Sequence, residues 1–521
     1  MKNYSTGITN QPQSKPIFGR TDMVKNNAGG YVFEITPQQR LERFLLIGSE
    51  GGTYYVGEQQ LTEENAKSVA KLIKTNGLDV VNTVIDFSVN GRAPKADAGL
   101  FVLALCATYG DAATKKAAYA AIASVCRTST QLFLFTSNIQ NLRGWSNGLR
   151  KGVANFYTNR TTEQIAYQMI KYRDRAGFTH ADVLRLSHPK AKNKDQNSLF
   201  GYAVGKVPAS EVKNRQIQCY EAAKTATGKE LLGLIAEGRL TWEMVPTEAL
   251  NDTEVLSYLL DNMPLTALVR NLNRFAYNGM TKGNTETTKR IVSKLTNAEF
   301  VAKGNMHPVN VINSLLTYSS GRGQMGNKTW EVNQNIVDAL SETYELALKA
   351  LVPTGKNILV GVDVSGSMSS TAVAKMQMTC AQVANVLALT ILKSEKNAEL
   401  VWFDTGLVKC NMGRRNSVDE AIRLTPRGGG TDCAQPLIHA ANTLNHYDAI
   451  IILTDSETWA GNRHAADVLT SYRKNVNRDV KVIEVALAAN SSSVLPPDDP
   501  NLLRVVGFDG SVTEIINEYL K

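Results

Sequence analysis

The sequence is poor in cysteine and lacks the segments that direct a protein to a membrane. Its six cysteines form no C-x-x-C pair and no Cys/His cluster, which excludes the common zinc modules. The first residues, MKNYSTGITNQPQSKP, lack the apolar core of a signal peptide. The longest apolar runs, such as GLFVLALCATYG, fall short of the ~20 residues that cross a membrane as a helix. We therefore expect a protein of the reducing cytoplasm with no membrane partner.

Motifs of hydrolytic enzymes are missing as well. There is no G-x-x-x-x-G-K-[ST] loop for a nucleotide, no paired acid and base, and no second cluster of metal ligands. An RNA-cleaving or other hydrolytic enzyme is therefore the weakest hypothesis, and no catalytic residue is predicted.

Positive charge is concentrated in the first part of the chain. The net charge is +9; residues 357–521 contain 15 Lys/Arg and 18 Asp/Glu, a balance of −3, so residues 1–356 carry +12. Lysine and arginine bind phosphates with release of counterions, which makes this part the natural candidate for a polyanionic partner. A solvated basic surface that only keeps the protein soluble is the alternative that charge alone leaves open.

With 521 residues, the chain is too long for a single hydrophobic core. Residues 1–30 are polar and predict an N-terminal arm, either ordered on contact or loose. From residue 31 to 353, segments such as EQIAYQMIKYRDR have apolar residues at i, i+3, i+4 and i+7, which predicts helices without strands. We expect paired helices stacked as an α-solenoid, with a large multi-helix bundle as the alternative.

The pattern changes after Pro353. From residue 356 to 521, apolar runs such as ILVGVDV, ELVWF and AIIILT alternate with helical segments. Near-continuous apolar strands between helices indicate a parallel sheet that is covered on both faces. The predicted fold class is therefore multidomain α plus α/β, with a doubly wound parallel-sheet domain at the carboxyl end.

Five side chains with oxygen ligands lie at the ends of two predicted strands and in a glycine-rich loop of this α/β part. D-V-S-G-S closes one strand, PRGGGTD is the loop, and AIIILTD closes a later strand. Because ligands of open α/β sheets bind beyond the carboxyl ends of the strands, these side chains are predicted to converge. Hard oxygen ligands suit a divalent metal, in the first place Mg²⁺, with one position left for a partner's carboxylate. The predicted ligands are Asp363, Ser365, Ser367, Thr431 and Asp455; in the alternative, the hydroxyls cap helices and Asp455 only ends a strand.

The stretch AYQMIKYRDRAGFTHADVLRLSHPK interleaves cations with aromatic rings. On a helix, Lys171 and Arg175 are four residues apart and are expected to share a face. Cations and flat rings together hold phosphates and stack bases. A solvated face with a core histidine is the alternative. The candidate RNA-binding residues here are Lys171, Arg173, Arg175, Arg185, His188 and Lys190.

Two further basic stretches are candidates. NLRGWSNGLRKG contains Arg150 and Lys151, and PLTALVRNLNRF contains Arg270 and Arg274. The second stretch has polar residues on a predicted helix, so this helix could line a central hole. Ordinary solvated surface is the alternative for both.

Long strings of the sequence resemble the Ro autoantigen family, whose members join a TROVE module to a von Willebrand factor A domain. The matching strings start at about residue 16 and include NAGGYVFEI, RLERFLLIGSEGGTYY, KYRDRAGFTHADVLRLSHPK, MPLTALVRNL, PTGKNILVGVDVSGSM and GGTDCAQPLI. D-x-S-x-S followed by Thr and Asp is similar to the metal-ion-dependent adhesion site of such A domains, and all five positions match.

The resemblance implies a ring of HEAT-like helical repeats closed by the A domain. It implies that noncoding Y RNA binds the basic outer surface, with contacts at Lys171, Arg175 and His188 and with Arg173 and Arg185 nearby. It also implies a central hole for single-stranded 3′ ends of misfolded RNAs. Bacterial members work beside 3′ exoribonucleases such as polynucleotide phosphorylase, and the lack of nuclear-type basic tracts is typical of a bacterial member.

Two functions follow as expectations. The first is a monomeric RNA-binding scaffold in RNA quality control, maturation or decay. The second is an adhesion-type protein-interaction module, in which the metal site captures a partner's carboxylate and the helices are a structural scaffold. The two can coexist if each belongs to its own domain.

Overall fold

The computed structural model falls into two compact units. It describes residues 11–26, 28–34, 36–47, 58–90, 96–142, 144–304, 306–323, 328–369, 378–424, 428–487, 492–497, 499–506, 512, 516–517 and 519–520. Unit 1 comprises Met1–Ser68, Lys294–Gln324 and Gln334–Lys521, and unit 2 comprises Val69–Ser293 and Met325–Asn333.

The helices and strands are numbered in chain order. The helices are α1 (Pro37–Ile47), α2 (Glu58–Val89), α3 (Asp97–Tyr109), α4 (Ala112–Val125), α5 (Ser129–Leu142), α6 (Asn147–Thr158), α7 (Thr162–Lys171), α8 (His180–Ser187), α9 (Lys194–Ala203), α10 (Arg215–Ala223), α11 (Gly228–Gly238), α12 (Thr253–Asn262), α13 (Leu265–Tyr277), α14 (Glu286–Leu295), α15 (Ala298–Gly304), α16 (Pro308–Ser319), α17 (Gln334–Lys349), α18 (Cys380–Ser394), α19 (Val418–Arg423), α20 (Gln435–Thr443) and α21 (Ala465–Asn475). The strands are β1 (Met23–Lys25), β2 (Tyr31–Glu34), β3 (Asp174–Arg175), β4 (Phe178–Thr179), β5 (Asn357–Asp363), β6 (Asn397–Phe403), β7 (Leu407–Val408), β8 (Ala449–Thr454), β9 (Lys481–Ala486), β10 (Ser492–Ser493) and β11 (Leu502–Val506).

Unit 2 is a succession of helices from α3 to α13. The packed pairs in this span join helices that are one to three positions apart: α3 packs on α4 and α5, α4 on α6, α6 on α8, α7 on α9 and α10, and α11 on α10 and α12. This short-range succession is the pattern of stacked helical pairs, since a single bundle would bring distant helices together. The predicted helical part is confirmed, but the expectation that it lacks strands is wrong, because β2, β3 and β4 lie within residues 31–353.

Polar capping residues begin several of these helices. The side chains of Asp111, Ser146, Thr161, Thr179 and Asn193 each accept a hydrogen bond from a backbone N–H in the first helical turn. Such caps satisfy donors that have no partner within the helix. The turn-forming residues that separate the periodic segments in the sequence therefore mark the helix starts.

A two-stranded hairpin at residues 174–179 interrupts the helices. The spacing predicted a helix that continues through Arg175, but α7 ends at Lys171 and β3 pairs antiparallel with β4. The two turn residues, Ala176 and Gly177, have φ of 52° and 79°, which is the left-handed conformation that tight hairpin turns require. The prediction that Lys171 and Arg175 share a helical face is therefore wrong.

A six-stranded sheet forms the centre of the α/β part in unit 1. Its strand order is β11-β9-β8-β5-β6-β7, with only β7 antiparallel to its neighbour among these described strands. After the first residue of β5, every position of β5 and β8 is buried, as expected of strands that are covered on both faces. The predicted doubly wound parallel sheet is confirmed. The strand order reverses between β5 and β8, and such switch points are where these sheets bind ligands.

Helices cover this sheet closely. A Cβ atom at Gly361, in the middle of β5, would lie 2.3 Å from Pro436 Cγ of α20, so only glycine allows that approach. The helical pattern in the sequence begins at Thr371, but residues 370–377 lie outside the described part. Within the described residues, α18 begins at Cys380, and the side chain of Thr379 caps its first turn.

Part of the polar N-terminal segment pairs with the α/β part of unit 1. β1, β2 and β10 form an antiparallel three-stranded sheet in that order. Residues 1–10 and 27 of the predicted arm lie outside the described residues. The described part from residue 11 to 26 is ordered on contact, the first of the two forms considered for this arm.

The two compact units do not coincide with the predicted domains 31–353 and 356–521. α15, α16 and α17 belong to unit 1, and α17 packs on α18 through a hydrogen-bonding contact of 3.1 Å between Tyr344 OH and Thr390 Oγ1. An ion pair joins Glu345 to Lys393 beside it. Among the described helices, none is both long enough and apolar enough to traverse a bilayer.

Candidate functional site

Two buried carboxylates meet at the switch point of the sheet. Asp363 ends β5, and Asp455 directly follows β8. Asp363 accepts hydrogen bonds from Thr454 Oγ1 at 2.6 Å and from the Ser365 N–H at 2.9 Å. Ser365 Oγ lies 3.3 Å from Ser367 Oγ. A continuous polar edge, called here the carboxylate edge, therefore joins the two strand ends.

The glycine-rich loop approaches the carboxylate edge. The Gly366 N–H donates to Gly429 O at 3.3 Å, and Gly429 has a φ of 123°, which other residues rarely adopt. A Cβ on Gly430 would lie 2.5 Å from Trp459 Cζ2, so the loop also packs tightly on this ring. Thr431, the next residue, is buried. The loop that carries the predicted threonine ligand is thus tied to the D-V-S-G-S loop.

The electrostatics of the carboxylate edge favour a cation. Burial raises the pKa of Asp363 well above its usual range, and the nearby charge of Asp455 raises it further. Burial likewise raises the pKa of Asp455, although hydrogen bonding, first of all with Ser367, opposes the shift. Two carboxylates this close are not both charged unless a cation compensates them. Carboxylate and hydroxyl oxygens are ligands that Mg²⁺ accepts, so the donor set fits the predicted metal.

Other chemistry at this edge is limited. Within the described ranges, no three His, Cys, Asp or Glu side chains are placed to hold a metal ion, so a cation here would also depend on hydroxyl ligands. Cys433 lies beside the edge, with its Sγ 3.5 Å from Thr454 Oγ1, a neighbour that no pattern in the sequence singled out. Burial raises the pKa of this thiol well above its usual value, so it stays protonated and is a poor nucleophile.

Gln13, from the N-terminal segment, joins two loops of the carboxylate edge. Its side-chain amide donates to Asp432 Oδ1 at 2.5 Å and accepts a hydrogen bond from Thr458 Oγ1. Asp432 follows Thr431, and Thr458 comes three residues after Asp455. The buried glutamine therefore fixes both loops that carry these predicted ligands. Nothing in the local sequence pointed to it, because its partners are more than 400 residues away.

A buried ion pair supports the loop after β8. Glu484 accepts hydrogen bonds from Ser456 Oγ at 2.8 Å and Ser493 Oγ at 2.7 Å. Ser456 follows Asp455 and has a φ of 62°, a left-handed conformation that is costly for a residue other than glycine. Arg504 Nε lies 3.5 Å from Glu484 Oε2 and compensates its charge. Glu484 thus holds Ser456, and with it the position of the neighbouring carboxylate.

Most of the candidate RNA-binding residues in the basic stretch are exposed. His188 directly follows α8 and has the left-handed conformation, with a φ of 47°, and its ring is exposed. Arg185 and His188 line one open cavity together with Lys206. We call the exposed set the hairpin surface; it consists of Arg173, Arg175, Arg185, His188 and Lys190.

Lys171 differs from this set because it is already paired. Only 18% of its side chain is exposed. Its Nζ donates to Tyr167 OH at 2.7 Å and lies 3.6 Å from Glu243 Oε1. Arg274 of α13 lies 5.8 Å from the ring centre of Trp242, the residue before Glu243. Two candidate cations from different helices therefore flank one loop.

The remaining candidates lie on helices outside the basic stretch. Arg150 and Lys151 lie on α6 and Arg270 lies on α13, and all three are exposed outside the hairpin surface. Asn271, beside Arg270, is buried and donates to Ala267 O of its own helix at 2.9 Å. Its amide is therefore satisfied within unit 2.

His180, in the middle of the basic stretch, is a core residue. Its Nδ1 accepts a hydrogen bond from Tyr157 OH at 3.0 Å, and its Nε2 donates to Tyr172 O at 3.1 Å. Burial lowers the pKa of His180 to about 4. The alternative of a core histidine is therefore correct for this residue, whereas the cations of the hairpin surface are exposed.

We expect acid to destabilise unit 2 through His180. Its pKa is about 4 in the folded chain and about 6.5 in the unfolded chain, so the unfolded state binds the proton first. The stability that the neutral ring provides is present above pH ~6.5 and is lost as the pH falls toward 4, by about 2 kcal/mol at pH 5. Urea unfolding at pH 7.5 and 5.0 should show a smaller difference for His180→Gln than for the original protein. His188→Gln, which changes an exposed histidine, should retain the full difference; the same pH dependence in all three proteins would rule this role out.

Comparison with known proteins gives matches along the whole chain. A TROVE domain model matches residues 24–237 and 236–335, and a Ro60 vWA domain model matches residues 357–520. The RNA-binding protein RO60 of Deinococcus radiodurans is 33% identical over 534 residues, covering 100% of this chain and 99% of the relative. The RNA-binding protein RO60 of Caenorhabditis elegans is 30% identical over 584 residues, covering 95% and 90%. The crystal structure of the Deinococcus radiodurans RO (RSR) protein is similar, with a TM-score of 0.76 at 32% identity over 93% of this chain and 99% of that one.

Proposed function

This chain belongs to the Ro60 family, which joins a TROVE domain to a vWA domain, and on that premise we propose that it is an RNA-binding protein without catalytic activity. The predicted resemblance to the Ro family is confirmed by these matches. Both relatives, from Deinococcus radiodurans and Caenorhabditis elegans, carry the name RNA-binding protein. The single observation that carries the proposal is the hairpin surface, where five basic side chains between Arg173 and Lys190 are exposed.

The hairpin surface is proposed to bind noncoding Y RNA. Helical RNA offers phosphates and 2′-hydroxyls rather than readable base edges in its deep groove, so exposed cations at fixed positions are suitable contacts. The tight turn at Ala176 and Gly177 and the capped helix α8 fix the backbone that carries Arg175 and Arg185. Such a surface would read the shape of an RNA duplex more than its sequence.

The second part of the proposal is a role in RNA quality control, maturation or decay in the cytoplasm. Here single-stranded 3′ ends of misfolded RNAs enter a central hole, from which a duplex is excluded by its width. A 3′ exoribonuclease such as polynucleotide phosphorylase is the proposed protein partner. What supports this part is the family match, which extends over the TROVE and vWA parts of the chain.

The double variant Arg173→Gln and Arg175→Gln is expected to weaken Y RNA binding at least about tenfold at moderate salt, because it removes two cations that would each pair with a phosphate. The slope of log K against log salt concentration should become shallower by roughly 0.7–0.9 for each phosphate that is no longer neutralised. Electrophoretic mobility shifts across a potassium chloride series measure both quantities.

Lys116→Gln with Lys229→Gln is the matched control, because it removes two cations of unit 2 that are exposed outside the hairpin surface. The control should keep the affinity within about twofold, since solvated charges contribute little to a specific complex. Equal losses of affinity in the two double variants would mean that only net charge matters, and the hairpin surface would lose its assigned role.

We also propose that the carboxylate edge holds a divalent cation, most simply Mg²⁺. Its ligands would be Asp363, Ser365, Ser367, Thr431 and Asp455, and the buried pair of carboxylates supports this set. When bound, the cation would offer an open coordination position to a carboxylate of a partner protein. This is the adhesion-type function, and it is compatible with RNA binding because the proposed ligands belong to unit 1 and the hairpin surface to unit 2.

An exposed aromatic residue beside the carboxylate edge would suit such a partner. Trp459 is 45% exposed, and it packs against Gly430, the residue before Thr431. Tryptophan is among the residues that contribute most to protein interfaces. A partner that places a carboxylate on the cation would therefore find an apolar surface next to it.

A further inference from the structure

A cavity of about 480 Å³ lies within unit 2. None of the residues that line it belongs to the hairpin surface, although one of them, Lys171, comes two residues before Arg173 in the sequence. The end of α7, the segment after α11 and the end of α12 enclose it. Its walls combine three half-buried rings with two cations and one carboxylate: Tyr167, Trp242, Tyr258, Lys171, Arg239 and Glu243. The volume is in the range of small-molecule and nucleotide pockets.

A donor and an acceptor stand side by side in this cavity. Lys171 Nζ lies 3.6 Å from Glu243 Oε1, and 18% and 30% of the two side chains are exposed. Burial alone would lower the pKa of Lys171, but the hydrogen bond with Tyr167 and the charge of Glu243 raise it overall. The ammonium group is therefore held in its charged form, with the carboxylate next to it and aromatic rings around both.

We infer that this cavity receives a single unpaired base of bound RNA, and that guanine fits it best. Stacking on an aromatic ring suits any base. Of the four bases, only guanine offers two adjacent N–H donors, at N1 and N2, and these match the two oxygens of Glu243. Its O6 acceptor then faces Lys171, a pairing that cations commonly make with guanine. This inference rests on the proposed RNA-binding function and adds a specificity site to it.

The charges around the cavity favour a base over a phosphate group alone. Glu243 would repel a phosphate at the position where it attracts N–H donors, whereas Arg239 is exposed at the rim and can meet the sugar–phosphate chain. Arg274 lies 5.8 Å from the Trp242 ring centre, so a further cation stands close to the loop that carries Glu243. The base must be unpaired, because base pairing would occupy the N1–H and N2–H donors that are inferred to bind Glu243.

The test uses 12-nucleotide oligouridines with one central guanosine, inosine, adenosine or uridine, and measures affinity by fluorescence anisotropy. Guanosine should bind about tenfold more tightly than uridine, and inosine, which lacks only the N2 amino group, should lose most of that gain. In Glu243→Gln the difference between guanosine and inosine should shrink to less than about twofold. Glu211→Gln, which changes an exposed glutamate outside the cavity, should retain it.

Each outcome decides between the two proposals. If the original protein binds all four oligonucleotides equally, the base pocket is wrong and RNA binding stands. If it binds none of them and no Y RNA, both proposals fail. A guanosine preference that Glu243→Gln leaves intact would also overturn the pocket, because the discrimination would then arise elsewhere. Inosine changes only the RNA, so this arm of the test does not depend on how the variant folds.

Discussion

Arg504→Ala should lower the free energy of unfolding of the α/β part by about 3–5 kcal/mol, the range for breaking a buried ion pair. Its partner Glu484 is 1% exposed and lies 3.5 Å away. Without the guanidinium, Glu484 must either keep a buried charge uncompensated or take up a proton, and both cost free energy. Urea unfolding followed by near-ultraviolet circular dichroism measures the difference.

Two further variants separate the buried charge from the loss of an arginine. Arg423→Ala removes an exposed arginine at the end of α19 and should change stability by less than about 0.5 kcal/mol. Adding Glu484→Gln to Arg504→Ala should recover part of the loss, because it removes the uncompensated charge and keeps one side-chain oxygen that can accept a hydrogen bond. If Arg504→Ala costs no more than Arg423→Ala, the ion pair does not stabilise the fold.

The sequence predicted those elements whose signal lies within one segment. β5 and β8 were evident because both faces of these strands are buried and the sequence is therefore apolar throughout. The hairpin at 174–179 was missed because two-residue strands carry no periodicity, and its Ala–Gly turn lacks the Asn or Asp that marks such turns. β10 is a pair of serines that is a strand only because it meets β2, a tertiary contact that no local pattern contains.

In the candidate sites, too, the sequence indicated what is encoded locally and missed what depends on distant segments. The spacing D-V-S-G-S and the strand end at Asp455 placed predicted ligands at one edge of the sheet, because parallel strands bring their carboxyl ends together. Gln13 and Glu484 reach that edge from distant segments, so nothing in the local sequence indicated them. The sequence correctly placed Lys171 on a helix, but it did not reveal that the side chain is paired. Its partner Glu243 comes 72 residues later, and helical spacing carries no information about a contact over that distance.

Asp363→Asn should abolish the stabilisation of unit 1 by Mg²⁺, and it should do so without destabilising the metal-free protein. A ligand that binds only the folded state adds about 2.7 kcal/mol at a concentration of 100 times its Kd. In EDTA, however, the pKa values of Asp363 and Asp455 are both raised because burial penalises their charged forms, so an uncharged asparagine at position 363 avoids that penalty. The variant should therefore be at least as stable as the original protein in EDTA and less stable in Mg²⁺.

This reversal in the order of stability distinguishes a lost ligand from ordinary damage to the core, which would lower stability under both conditions. Thermal unfolding in EDTA and in a magnesium chloride series, at constant ionic strength, would measure it. Asp479→Asn, which changes an exposed carboxylate, should respond to Mg²⁺ like the original protein, because surface charges bind the ion only diffusely. If Mg²⁺ stabilises Asp363→Asn and the original protein equally, the ion binds elsewhere and the ligand set proposed for the carboxylate edge is wrong. The adhesion-type function would then lose its physical basis, whereas RNA binding, for which we propose cations of unit 2, would be unaffected.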